Sequence, residues 1–423
     1  MLLRRIHGCP AASLQALEVE DYPLQASPLG LFEVAFTRLV AGGRLVLHPR
    51  PDGNGSDADL TQAVIHLRTL AARCGFAISV AATAASTKGQ ASGLQIAFER
   101  TPESRRWRLS ELGSEGLEQF ASLFERAFDQ TMPQTLWNWK YAGGRGCGVV
   151  ARRGDALVGH YGATRRRILL FGQKAVALQI CDAMVDPSER AIMTKTGVMA
   201  QLTASFLEIH QGIARVPLCF GFPSRRAMGL GERLGLYADV GGMREVRWQA
   251  LPDRPRLATR VRQFASDDAA DARTTDQLWT AMAEDFGKQV LAVRDAAYLR
   301  ERYVSHPTHR YELLLVTERA RPVALGMLVL RQHERDLELL DLVGPLAVHG
   351  RLVDQARRLA GRWGKETLYA WVPEGYAVPL AGRSGRVTDI GVRIPTNAWV
   401  RQELGTAALR GRWWLMSGDT DFH

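Results

Sequence analysis

Four side chains in the middle of this 423-residue chain have the chemistry to move a proton. Asp182 and His160 are candidate bases, and Tyr161 and Tyr237 are candidate acids. Asp182 lies inside an apolar run from Ala175 to Val185, whose length and β-branched content predict a buried strand. Asp186-Pro187 ends that run. A polar loop then carries Thr194, Lys195, Thr196 and Gly197 into a helical pattern that starts at Val198. A loop feeding a helix N-terminus turns free N–H groups and the positive end of the dipole toward an anion, and a pyrophosphate suits it well.

The elements that must hold these residues follow from spacing. Val198, Leu202, Phe206 and Ile209 recur at helical intervals, so the loop opens a helix. A second buried strand runs from Val216 to Phe222. Pro223-Ser224-Arg225-Arg226 leads from it into a short helix ending at Arg233-Leu234-Gly235-Leu236. Strand, anion-suited loop, helix, strand and a helix with a leucine-glycine-apolar corner resemble the acyl-CoA-binding half of the GNAT N-acyltransferase superfamily.

That resemblance implies acyl transfer from a thioester to a primary amine, with acyl-CoA as co-substrate and no metal. The backbone N–H groups of Asp182, Ala183, Met184 and Val185 would bind the thioester carbonyl and the pantetheine amides. Thr194, Lys195, Thr196, Gly197 and Val198 would take the pyrophosphate, with Ser224 at the start of the second helix beside the cofactor. Two departures stand out. The loop after Arg190 is longer than the family's and has a single glycine, Gly197. Gly231 stands where the family usually carries the tyrosine that protonates the leaving thiolate, which is why Tyr161 and Tyr237 are candidates to replace it.

The whole chain is read as α/β, with two tandem GNAT-like mixed-sheet domains after an N-terminal half-Rossmann-like unit. Residues 1–104 resemble the C-terminal half of a class I SAM-dependent methyltransferase, through Leu39 to Leu47 and Cys74-Gly75-Phe76, but no G-x-G-x-G follows any strand. Residues 105–250 would carry the acyl-CoA site, opening with an amphipathic helix from Leu117 to Phe128 and the Trp137-Asn138-Trp139-Lys140-Tyr141 element. Residues 256–423 repeat the theme, with Tyr298 to Tyr303 in the place of that element, as a degenerate second copy completing the substrate cleft.

Composition narrows the partners. The net charge is +10 and only six of the 54 basic residues are lysine. The arginines are dispersed and no nucleic-acid module is visible, so a nucleic-acid partner is not expected. An acyl carrier protein or an anionic membrane surface suits the basic balance as well as acyl-CoA does. Five scattered cysteines without C-x-x-C spacing point to a reducing, cytoplasmic setting, with peripheral contact at the inner face of a membrane as an option. The acceptor would be an amino sugar or a lipid amine, in the manner of bacterial ceramide synthases. Two other readings compete: a tRNA-dependent aminoacyltransferase, and a catalytically inactive assembly or binding protein.

Overall fold

The computed structural model describes residues 10–23, 26–50, 57–80, 95–103, 105–113, 117–192, 194–252, 259–321 and 323–420. The loop expected at 81–92 and most of the link expected at 254–262 lie outside the described residues.

Three mixed sheets organise the chain. The first holds β1 (Leu14–Pro23), β2 (Leu39–Arg50), β3 (Phe76–Val80) and β4 (Ile96–Arg100), in the order β1-β2-β4-β3. Only β1 and β2 run parallel. Helix α1 (Leu29–Arg38) covers this sheet with Leu29, Leu31, Phe32 and Ala35, and the Phe32 ring meets Phe76 and Phe98. The sequence pattern predicts that helix through Val40, but Leu39 is already extended. Buried Leu39, Leu45 and Leu47 claim the segment for the sheet, so tertiary burial overrides local helical spacing. Helix α2 (Asp57–Arg73) follows β2.

The second sheet begins with β5 (Arg108–Glu111). Helices α3 (Leu117–Phe128) and α4 (Gln134–Tyr141) lead to β6 (Gly146–Arg153), β7 (Ala156–Leu170) and β8 (Gln173–Val185). Helix α5 (Val198–Leu207) runs on as one π-helical stretch, Glu208–Ile213, before β9 (Leu218–Phe220), α6 (Arg225–Arg233) and β10 (Tyr237–Gln249). Strands β5 to β9 pair in sequence order, and only β8 and β9 are parallel.

The third part repeats much of this order. It comprises β11 (Thr259–Gln263), α7 (Ala269–Asp285), β12 (Val290–Ala292), α8 (Ala296–Leu299), β13 (Glu312–Glu318), β14 (Ala324–Gln332) and β15 (Asp336–Val343). Then come α9 (His349–Arg362), β16 (Thr367–Pro373), α10 (Glu374–Ala381), β17 (Arg386–Asn397), α11 (Thr406–Leu409) and β18 (Trp413–Trp414). Its sheet has the order β11-β13-β14-β15-β16-β10-β17.

The last two sheets exchange strands. Strand β10 sits between β16 and β17, and β12 and β18 extend the second sheet along β7. Strand pairing therefore crosses the sequence boundary near residue 250, and it brings Tyr237, at the start of β10, against α5. Glu208, in the π-helical stretch, ties all three parts. It accepts two hydrogen bonds from Arg73 of α2, at 2.7 and 2.9 Å, and one from the Trp399 indole, at 2.7 Å.

Two histidines, the buried His349 and the partly buried His210, make stability depend on pH. Burial, reinforced by Arg165, lowers His210 to about 4, and burial lowers His349 to about 4 against the pull of the Gly344 carbonyl. Both bind a proton more weakly folded than unfolded, so below about 6.5 the unfolded chain takes up more protons. Their contribution is complete above that pH and is lost as pH falls toward 4, by up to ~3 kcal/mol for each histidine. Urea midpoints at pH 7.5 and 5 should differ accordingly, and His349→Phe should shrink the difference. An equal pH slope in wild type and variant would contradict the assignment.

Candidate active site

The site forms where β8 and β9 part. They pair only from Ala177 to Gln179 against Leu218 to Phe220, and a cavity of about 960 Å³ opens beyond that point. Gln179 to Ala183 of β8 form one wall, and Cys219 to Ser224 another. Met199 and Thr203 of α5, Gly231 of α6 and Tyr237 also line it. The far side is built by Arg166 of β7, by Tyr298, Arg302 and His306 from the third part, and by Thr420. Phe124, Phe128, Met132 and Leu136 give one end an apolar surface.

At this point β8 carries a bulge. Gly162 pairs with Cys181 and His160 with Met184, so the single residue Tyr161 faces both Asp182 and Ala183. Asp182 has φ +49°, a left-handed conformation that a non-glycine residue holds only when its surroundings impose it. The surroundings do so twice. The Asp182 carbonyl accepts from His160 Nδ1 at 2.7 Å. Its carboxylate receives the Lys140 ammonium at 2.8 and 2.9 Å and the Tyr141 hydroxyl at 2.6 Å. The bulge interrupts the β7–β8 ladder at Asp182 and Ala183.

These contacts decide what each candidate can do. Burial alone would raise the Asp182 carboxyl, but the Lys140 charge and hydrogen bonds from Lys140 and Tyr141 hold it below the usual carboxylate range. Asp182 is thus an ion-paired structural carboxylate and a weak proton acceptor. His160 is fully buried behind the bulge, packed edge-on against Phe120, and it does not line the cavity. Burial lowers its affinity for a proton, against the Asp182 carbonyl, so the ring is neutral. Its Nδ1–H donates to that carbonyl, and Nε2 has no hydrogen-bond partner among the described residues. His160 positions Asp182 and does not face a substrate.

Tyr161 and Tyr237 do come together on the cavity wall. Their hydroxyls are 2.6 Å apart. Burial raises Tyr161 well above its ordinary value, and burial pushes Tyr237 up to about 12 against hydrogen bonds from Tyr161 and Thr203. Both phenols stay protonated at any working pH. Gly231 explains how they fit: a Cβ there would collide with the Tyr237 ring. The missing side chain on α6 is the room that the tyrosine from β10 fills.

Ala183 lines the cavity, while Met184 and Val185 are buried and do not. Ser224 lines it and caps α6 by accepting from Ala227 N at 3.3 Å. Thr194, Lys195 and Thr196 are exposed on the loop before α5, outside the cavity lining. Gly197 is the N-cap of α5 and Val198 its first residue, and no side chain caps that end. The first-turn N–H groups therefore have no partner within the helix. A Cβ on Gly197 would collide with the Ile192 carbonyl, so the loop's one glycine is a steric requirement.

The grip of Lys140 and Tyr141 on Asp182 is not among the sequence expectations. The signal was a lysine inside an aromatic helix, since a buried ammonium demands a partner. Asp419 was missed as well. It pairs with Arg166 and Arg294, and only the fold brings those residues together.

The acetyltransferase (GNAT) domain family matches residues 108–237, the segment that supplies most of the cavity lining. No curated protein matches the chain. Among solved structures, a GCN5-related N-acetyltransferase from Kribbella flavida is 20% identical, with a TM-score of 0.51 over 69% of this chain and 70% of that one. A GCN5-related N-acetyltransferase from Anabaena variabilis is 13% identical, with a TM-score of 0.51 over 70% and 73%. A conserved protein of unknown function from Enterococcus faecalis V583, a probable N-acyltransferase, is 13% identical, with a TM-score of 0.54 over 69% and 73%. The shared fold is a mixed α/β one, and the domain match supports an acyltransferase. No helix among the described residues is long and apolar enough to cross a membrane.

Proposed function

We propose that this protein transfers an acyl group from acyl-CoA to a primary amine, at the parting of β8 and β9. The observation that carries the reading is the bulge at Asp182 and Ala183, sited where the strands separate and a cavity begins. The thioester carbonyl lies against the backbone N–H groups of the bulge, and the pyrophosphate meets the uncapped first turn of α5 with Lys195 beside it.

The amine nitrogen attacks the thioester carbon, and the carbon–sulfur bond breaks as the tetrahedral intermediate collapses. One proton must pass from nitrogen to sulfur. A thiol has a pKa of about 8.5, so the thiolate needs only a modest acid. Tyr237 serves by giving its proton to sulfur while the Tyr161–Tyr237 pair takes one from the nitrogen side, and neither phenol ionises. Asp182, His160, Lys140 and Tyr141 shape the bulge and take no part in the transfer.

The apolar end formed by Phe124, Phe128, Met132 and Leu136 favours an acyl chain or acceptor with a hydrophobic part, which favours a lipid amine over an amino sugar. The N-terminal order β1-β2-β4-β3, with its last two pairings antiparallel, is consistent with a scaffold derived from a methyltransferase-like half.

Thermal shift with CoA, acetyl-CoA and palmitoyl-CoA tests the reading. A ligand at 100 times its Kd should stabilise the protein by about 2.7 kcal/mol. Lys195→Glu should diminish the shift by repelling the phosphates. No shift with any of the three would sink the CoA assignment.

A further inference from the structure

A second parting of parallel strands lies in the third part of the chain. Strands β15 and β16 pair only from Asp336 to Glu338 against Thr367 to Tyr369, although both strands run on beyond. The bulge is repeated too: Val329 pairs with Asp341 and Leu330 with Leu339, leaving Leu340 extra. So is the tyrosine–aspartate contact. Tyr303 donates to Asp341 at 3.1 Å, as Tyr141 does to Asp182, and Arg294 stands in for Lys140 at 2.7 Å. By geometry this is another slot for an inserted ligand.

The slot is full. Residues 415–420 are buried throughout and end the described chain there. A Cβ on Gly418 would collide with the Tyr303 hydroxyl and lie 2.9 Å from the Leu340 carbonyl, so glycine allows the segment to lie against the bulge. The Asp419 carboxylate binds Arg294 and also Arg166, on the wall of the first cavity. The Asp419 carbonyl accepts from Gln179, on the same wall.

We infer that residues 415–420 occupy the second parting as a built-in ligand that closes it to thioesters, and that Asp419 is a positioning residue for Gln179 and Arg166 in the first cavity. The inference rests on the acyl-transfer reading for the meaning of the slot, but not for its occupancy. Calorimetric titration of the full chain with coenzyme A should give one site per chain; two sites would overturn it.

Amide hydrogen exchange decides occupancy whether or not coenzyme A binds. Residues 415–420 should be as protected as β15, and fast exchange there would overturn the inference. Asp419→Asn keeps the shape and removes the charge. It should speed exchange at 415–420 and at 179–183 while β13 and β14 stay protected. Loosening of 415–420 alone would remove the positioning role. In turnover the variant should raise the acceptor KM by about ten-fold, since a misplaced wall acts on substrate alignment, with the donor KM unchanged. An equal fall in every kinetic parameter would point to general destabilisation and overturn it.

Discussion

Replacing Lys140 with methionine is expected to destabilise the protein by about 3–5 kcal/mol, because it strands a buried carboxylate. Asp182 lies 7% exposed, and Lys140 is its only cationic hydrogen-bond donor among the described residues. The Tyr141 hydroxyl stays in place but brings no charge. The pH dependence identifies the cause. In wild type the Asp182 carboxyl is held low, so the ion pair's contribution is present above the ordinary carboxylate pKa and is lost as pH falls through the lower folded value. In the variant, burial is opposed only by the Tyr141 hydrogen bond and by His160, and it is expected to raise the carboxyl above its unfolded value. The deficit should therefore be largest at pH 8 and shrink toward pH 5 as Asp182 takes up a proton. Urea unfolding at both pH values measures it. Lys140→Met combined with Asp182→Leu should recover much of the loss, since an apolar pair carries no desolvated charge. A small, pH-independent loss in the single variant would show that the ion pair is not what holds the bulge.

The same residues show what sequence could and could not reveal. The run from Ala175 to Val185 reads as a buried strand from its length and its apolar, β-branched content, and β8 spans Gln173–Val185. The helix after Gly197 reads from its spacing, and α5 begins at Val198. The roles of Asp182 and His160 do not read the same way. Nothing local says that Asp182 will take φ +49°, or that Lys140, forty-two residues earlier, will reach its carboxylate. A bulge is a mismatch between two strands, and one strand's sequence does not contain it. The exchange of β10 is hidden for a similar reason. Its Val246 and Trp248 pack into the third part's core, but a strand with this alternation of apolar and charged residues fits either sheet equally well in sequence. Gly231 is the reverse case. Its lack of a side chain was plain in sequence as a departure, and only the Tyr237 ring in that space gives the departure a meaning.

Tyr237→Phe should lower kcat by roughly 10²-fold, at the weak end of general acid catalysis because a thiolate is a good leaving group. The substitution removes one oxygen and leaves the ring that fills the space above Gly231, so fold and donor affinity should hold. The Tyr161 hydroxyl then loses its partner at 2.6 Å and becomes a buried donor with nothing to bind, which adds a modest stability cost of about 1–3 kcal/mol. Tyr161→Phe should cost less in rate, since Tyr237 keeps the Thr203 hydroxyl as a partner. If the two phenols act as one relay, the double variant should be no slower than Tyr237→Phe alone, because a broken relay cannot be broken twice. Gly231→Ala adds an independent test. Its Cβ would push the Tyr237 ring away without touching the hydroxyl's chemistry, so a comparable loss of kcat with donor KM unchanged is expected. Pre-steady-state acyl transfer from a thioester, read by free thiol release, separates the chemical step from product release. An unchanged rate in Tyr237→Phe would remove the tyrosine pair from the reaction and leave proton transfer to solvent.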